Sequence, residues 1–117
     1  WGRIINVTSQ QAHRAFGNSG AYGVSKGGLA SLTRSQSEAW APHGVRVNSV
    51  CPGWVATPLT AEVAADPART AALAARTMVK RNGVPADFAG VAVFLASDAS
   101  DYVTGQTIFA DGGFSVT

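Results

Sequence analysis

The sequence predicts an α/β domain on a parallel sheet. Two observations carry this: three short β-rich segments are separated by helical stretches, in the order strand, helix, strand, helices, strand, and each β-rich segment ends in a turn-forming cluster. No repeat, linker or low-complexity stretch interrupts that order.

The first strand is Ile4 to Val7, a β-branched run between Gly2 and the polar cluster Thr8 to Gln11, and it reads as buried. A loop follows, carrying Gly17, Asn18, Ser19 and Gly20. A helix is expected from about Ala21 to Trp40, free of proline and stopped by Pro42 and Gly44. Leu29, Leu32, Ala39 and Trp40 form its partial apolar stripe, beside the small residues Gly27, Gly28, Ala30 and Ser31. Adjacent glycines cost a helix about 1 kcal/mol each, which points to close approach of something large. Val45 to Cys51 alternates and stops at Pro52-Gly53, the second strand. Thr57 to Thr77 is Ala-rich and helical, broken where Asp66 stands as N-cap before Pro67. Pro85 opens another helix, whose Phe88, Val91, Ala92 and Leu95 share one face and read as core. Gln106 to Ala110 is the third strand, ended by Asp111-Gly112-Gly113.

Composition narrows the function. The chain has 117 residues, 16 of them charged (14%), against roughly 25% in ordinary domains. Of its apolar residues 21 are Ala, so large core-building side chains are fewer than the 46% hydrophobic share implies. A short chain with so few charges either buries more than its size allows or has surface meant for another protein segment. A net charge of +2 with no basic block argues against nucleic acid as partner. The longest apolar runs contain Gly and fall short of the roughly 20 residues a membrane span needs. One cysteine, Cys51, allows no internal disulfide and reads as a small buried hydrophobe, and the two histidines lack metal-ligand spacing. A reduced, cytoplasmic compartment fits this usage. The chain starts Trp-Gly-Arg, without initiator Met or signal-like segment, and reads as cut from a longer one.

Tyr22 and Lys26 stand four apart at the start of the long helix, so both leave the same face. An ammonium about 4 Å from a phenol favours the phenolate by about 4 kcal/mol at an effective dielectric near 20, which poises a tyrosine for general acid/base work near neutral pH. Alone, the spacing is weak evidence and fits a surface pair on a helix better. The wider pattern decides between them. Asn6-Val7-Thr8-Ser9 ends the first strand thirteen residues before Tyr22-Gly23-Val24-Ser25-Lys26, and Pro52-Gly53-Trp54-Val55-Ala56-Thr57 ends the second. Lys80 to Pro85, Phe94 to Asp98 and Asp111-Gly112-Gly113 continue it. In this order and over essentially its whole length, the chain resembles the short-chain dehydrogenase/reductase family.

That resemblance implies the C-terminal half of a Rossmann-like doubly wound parallel sheet, with residues 1–117 as part of a single NAD(P)-binding domain. It implies that Tyr22 exchanges a proton with the substrate oxygen while hydride passes between substrate carbon and nicotinamide, that Ser9 hydrogen-bonds that oxygen, and that Lys26 holds the nicotinamide ribose and tunes Tyr22. Pro52, Gly53, Val55 and Thr57 would meet the carboxamide, with Gly53 leaving room for close approach. The cofactor is NAD or NADP, the substrate a small molecule. Arg76 to Arg81 and Ser9-Gln10 look most like gluconate and other sugar-acid or polyol dehydrogenases; a 3-oxoacyl carrier-protein reductase shares the Asp-Gly-Gly ending. Gln10 and Trp54 are placed on the substrate side, with Leu59 to Met78 as lid, whereas Gln11, His13 and Arg14 read as solvated loop and Asn6 and Asn48 as structural. No residues are assigned to metal.

The family's Thr-Gly-x-x-x-Gly-x-Gly turn is not in this sequence, nor is the Asn of its catalytic tetrad or the residue that chooses NAD or NADP. Gly112-Gly113 has no helix after it to cradle a phosphate. The missing N-terminal half is therefore an expected partner, the three strands should keep an open edge, and the isolated chain is expected to be inactive. The family usually forms tetramers through the helix that begins at Tyr22 and through the last helix and strand. A non-catalytic remnant, keeping these elements only as an association surface, is the reading of another class.

Overall fold

The computed structural model describes residues 1–117. Strand β1 (Gly2–Val7) leads through a single 3-10 turn (Gln10–Ala12) to helix α1 (Gly20–Trp40). Strand β2 (Val45–Pro52) follows, then the short helices α2 (Ala61–Ala64) and α3 (Pro67–Arg76). Helix α4 (Ala89–Ala96), entered through a 3-10 turn at Pro85–Phe88, precedes strand β3 (Thr107–Ala110). The sheet order is β1-β2-β3, both pairings parallel, with Gly2 opposite Val45 and Ser49 opposite Thr107. The α/β class and the presence of three parallel strands stand as expected, with strand ends shifted by one or two residues.

Only β2 has a strand on both sides, and Val47, Asn48, Ser49, Val50 and Cys51 within it are buried. β1 differs from its sequence reading: it begins two residues earlier, and its residues are half-buried with Val7 56% exposed, because one of its edges has no strand. Eight of the fourteen buried residues are polar, and they are paired. The two asparagines are structural. Asn6 Nδ2 donates to Thr33 Oγ1 (2.9 Å), tying β1 to α1, and Asn48 donates to the Val103 carbonyl and accepts from Gln106 N, tying β2 to the approach of β3.

α1 corrects the expected stripe. Its buried residues are Ala30, Thr33 and Ser37, whereas Leu32, Ala39 and Trp40 are exposed and Leu29 is half-buried. The small and hydroxyl-bearing face fits β2 closely, with Ser37 bonded to Thr104 (2.8 Å), so the larger side chains look away from the sheet. Nothing in this chain lies within 4 Å of a Cβ built at Gly27 or Gly28, so the close approach expected there is not made within it.

The Ala-rich stretch forms three pieces rather than two, a 3-10 turn at Pro58–Thr60 preceding α2. The break falls where Asp66 caps α3, its Oδ1 accepting from the N–H groups of Ala68 and Arg69 (3.0 and 3.1 Å). On the Pro85 helix only Leu95 is buried; Phe88 and Val91 are half-buried and Ala92 exposed. These three line a cavity instead of a core. The radius of gyration is 15.2 Å and the long axis 48 Å, whereas a compact chain of this length has a radius near ~13 Å. No helix is long and apolar enough to cross a membrane.

Candidate active site

All three strands run in one direction, so their C-terminal ends lie at one edge of the sheet, where ligands bind in open parallel α/β folds. Ser9 follows the end of β1, Gly53 the end of β2 and Asp111 the end of β3. α1 starts beside the same edge and contributes Tyr22 and Lys26 one turn apart. A cavity of about 590 Å³ collects Ser9, Gln10, Tyr22, Lys26, Pro52, Gly53, Trp54, Val55 and Thr57. Every residue singled out for chemistry or binding in the sequence therefore lines one space.

Ser9 has extended backbone and its Oγ accepts from Gln11 N (3.2 Å), which caps the 3-10 turn and leaves the hydroxyl proton free to donate. Tyr22 is 44% exposed. The Lys26 ammonium donates to the carbonyl of Val7, the last residue of β1 (2.8 Å), and stands 5.8 Å from the Tyr22 ring centroid. The ammonium is thus anchored on the strand rather than on the phenol, with N–H groups to spare. Thr57 N–H donates to Thr60 Oγ1 (2.9 Å), which also bonds the Val55 carbonyl, and fixes the turn after β2.

The loop after Ser9, expected to be solvated, keeps His13 exposed but is tied down at Gln11 and Arg14, both half-buried. Ser19 Oγ donates to Gln11 Oε1 (2.8 Å), Arg14 Nη1 donates to the Phe114 carbonyl (2.9 Å), and His13 meets the Phe109 ring edge-on at 5.1 Å. Gly23, next to Tyr22, lets this loop lie against α1: a Cβ there would collide with Ser19 Oγ and stand 3.2 Å from the Gln11 carbonyl oxygen.

Gly53 does permit a close approach, and the partner is Asp111. A Cβ at Gly53 would stand 2.8 Å from Asp111 Cα. Asp111 is the residue that sequence reasoning passed over, noting it only as part of a C-terminal pattern. Its Oδ1 accepts from Gly113 N and its Oδ2 from Ser115 N and Gln10 Nε2, all at 2.9 Å. Burial pushes its pKa up, but the hydrogen bonds from Ser115, Gly113 and Gln10 outweigh that and hold the carboxyl below its usual range. The available signal was an acid at a strand end followed by two glycines, which adopt positive φ (64° and 82°). Cys51 is fully buried, and its thiol is pushed up to about 11 by burial, against a hydrogen bond with Thr8 and with a further push from the Asp111 charge.

On the lid side, Leu59 is 85% exposed and Leu73 lines the cavity beside Trp54 and Phe114. Met78 and Val79 donate their N–H groups to the Gly112 carbonyl, pinning the end of that segment to the turn after β3. Arg81 and Asp87 form a two-pronged ion pair (2.7 Å each), and Asp87 also accepts from Val84 N; together these hold its carboxyl at about 2.

The residues fit the nicotinamide-ribose end of a dinucleotide. The cavity is lined both by Lys26, which keeps N–H donors beyond its bond to Val7, and by the turn from Pro52 to Thr57. The glycine-rich turn before a helix that would cradle the diphosphate has no counterpart in the sequence.

The model of a family described as enoyl-(acyl carrier protein) reductase matches residues 1–115. The 2-dehydro-3-deoxy-D-gluconate 5-dehydrogenase of Escherichia coli K12 is 42% identical over 113 residues, covering 97% of this chain and 45% of its own length. The 5-keto-D-gluconate 5-reductase of the same organism is 40% identical over 115 residues, 98% of this chain and 45% of its own. Among solved structures, a gluconate 5-dehydrogenase from Burkholderia cenocepacia in complex with NADP and tartrate superposes with a TM-score of 0.94 at 38% identity, over 97% of this chain and 45% of that one. The chain belongs to the short-chain dehydrogenase/reductase family, with a Rossmann-like parallel sheet. It spans about half the length of the relatives it matches.

Proposed function

We propose that this chain is the C-terminal, substrate-side half of an NAD(P)-dependent oxidoreductase acting on a sugar acid or polyol. One observation carries the reading: nine residues chosen from the sequence for their chemistry line a single cavity at the C-terminal edge of the sheet. The bound nicotinamide cofactor supplies or takes the hydride. The Tyr22 phenol exchanges the proton with the substrate oxygen as general acid/base, and the free O–H of Ser9 donates to that oxygen. Lys26, held on the Val7 carbonyl, keeps further N–H donors for the ribose hydroxyls. The turn from Pro52 to Thr57 meets the carboxamide, and Gln10 and Trp54 face the substrate.

Coverage of about 45% of the relatives, the open edge of β1 and the large radius support a division of labour in which a nucleotide-binding half completes the sheet. The exposed face of α1, with Val24 77% and Leu32 47% exposed, supports a homo-oligomer; that it is a tetramer rests on the family resemblance, and a cytoplasmic setting on the cysteine usage. The sugar-acid relatives favour that substrate class. The test joins the chain to its nucleotide-binding half and measures turnover of a gluconate-type substrate and of a 3-oxoacyl thioester with each nicotinamide. Turnover of the sugar acid is expected. Turnover of the thioester alone would make the protein a 3-oxoacyl carrier-protein reductase, and no turnover or nicotinamide binding would leave an association module.

A further inference from the structure

Gln10 and Asp111 lie 101 positions apart in sequence and meet at 2.9 Å. Gln10 lines the active-site cavity. Asp111 does not; it lines a smaller neighbouring cavity of about 280 Å³, behind a wall that includes Gly53 and Trp54. It therefore acts on the larger space only through another residue.

The chemistry of the pair fixes its orientation. An ionised carboxylate only accepts, so the Gln10 amide must turn its NH₂ to Asp111, which removes the usual ambiguity between amide nitrogen and oxygen. Asp111 cannot rotate away, because its two oxygens are also occupied by Gly113 N and Ser115 N and its backbone is pressed against Gly53. Gln10 itself is only 7% exposed. Its Oε1 takes no hydrogen bond from the protein, yet is not among the buried polar atoms left without a partner, so it opens to the cavity. The side chain thus offers an oriented acceptor, with one of its two amide N–H groups spent on Asp111.

We propose that Asp111 is a positioning residue for substrate selection. It locks the Gln10 amide so that Oε1 accepts a hydrogen bond from a substrate hydroxyl neighbouring the reacting carbon. This rests on the proposed oxidoreductase reading and sharpens it. Vicinal hydroxyl-bearing substrates satisfy the acceptor, whereas a 3-oxoacyl chain brings methylene groups to the same place.

The test uses the protein with its nucleotide-binding half and compares a neutral vicinal diol with the mono-alcohol of the same carbon skeleton. In Asp111→Asn the amide is free to turn over, and the kcat/KM preference for the diol should fall about tenfold, through a rise in KM for the diol rather than a change in kcat. The same loss is expected of Gln10→Met. Equal losses on both alcohols, or a preference that survives Gln10→Met, would overturn the proposal. NMR of the Gln10 side-chain amide provides a readout without turnover: its resonances should move in Asp111→Asn, and unmoved resonances would overturn the pairing. A wild-type protein that oxidises neither alcohol would count against the oxidoreductase reading, while the amide resonances would still decide on the pair.

Discussion

Gly53→Ala perturbs the point where two strand ends meet behind the site. The new Cβ would stand 2.8 Å from Asp111 Cα, 2.9 Å from its Cβ and 3.3 Å from its carbonyl oxygen. Ordinary carbon contacts lie at about 3.5–4.0 Å, so the overlap is close to an ångström against groups that cannot move as a side-chain end can. Gly53 N also donates to the Ala110 carbonyl (3.1 Å), so relief of the clash means parting β2 from β3 and weakening that bond. Overpacking of this kind costs about 1–3 kcal/mol. Gly17→Ala is the control: its Cβ meets nothing within 4 Å and its φ is not positive, so it should be neutral or stabilising by up to about 1 kcal/mol. Urea unfolding of the two variants beside the wild type should give shifts of opposite sign, or a loss beside no change. A Gly53→Ala protein as stable as the wild type would refute the reasoning.

Two further predictions follow from the titrating groups. The Asp87 carboxyl is lowered from 3.8 to about 2, so its contribution to stability is present above the ordinary value and is lost as pH falls through about 2; acid unfolding of Asp87→Asn should lack that portion of the pH dependence between about 4 and 2. The Cys51 thiol is raised from 9.0 to about 11, so its contribution is present below 9 and lost as pH rises through about 11. At pH 8 an alkylating reagent should therefore modify Cys51 at the rate of unfolding, and modification at the rate of a free thiol would contradict its burial.

The strands and the Tyr22–Lys26 spacing were legible because each depends on local chemistry. A β-branched run, a proline-glycine stop, and a Tyr and Lys one helical turn apart show their meaning within a few residues. The buried face of α1 was not legible. Leu29, Leu32, Ala39 and Trp40 are the hydrophobic candidates by composition, yet the helix presents Ala30, Thr33 and Ser37 to the sheet, because the sheet is close and Thr33 and Ser37 pair with Asn6 of β1 and with Thr104 before β3. The reach of Lys26 to the Val7 carbonyl and of Gln10 to Asp111 joins segments whose proximity only the folded sheet creates. Gly53 was read as a place of close approach; that Asp111 is the neighbour it admits within this chain was not legible, since a glycine announces a missing side chain without saying what fills the space.

The most direct test of the central claim is a comparison of wild-type and Tyr22→Phe protein, each with its nucleotide-binding half, by stopped-flow nicotinamide absorbance on a sugar-acid substrate and by nicotinamide binding at equilibrium. Loss of the phenolic proton should slow the hydride step by about 10²- to 10⁴-fold while nicotinamide binding, which rests on Lys26 and the turn after β2, changes by only a few-fold. A Tyr22→Phe protein that reduces nicotinamide at the wild-type rate would contradict the account.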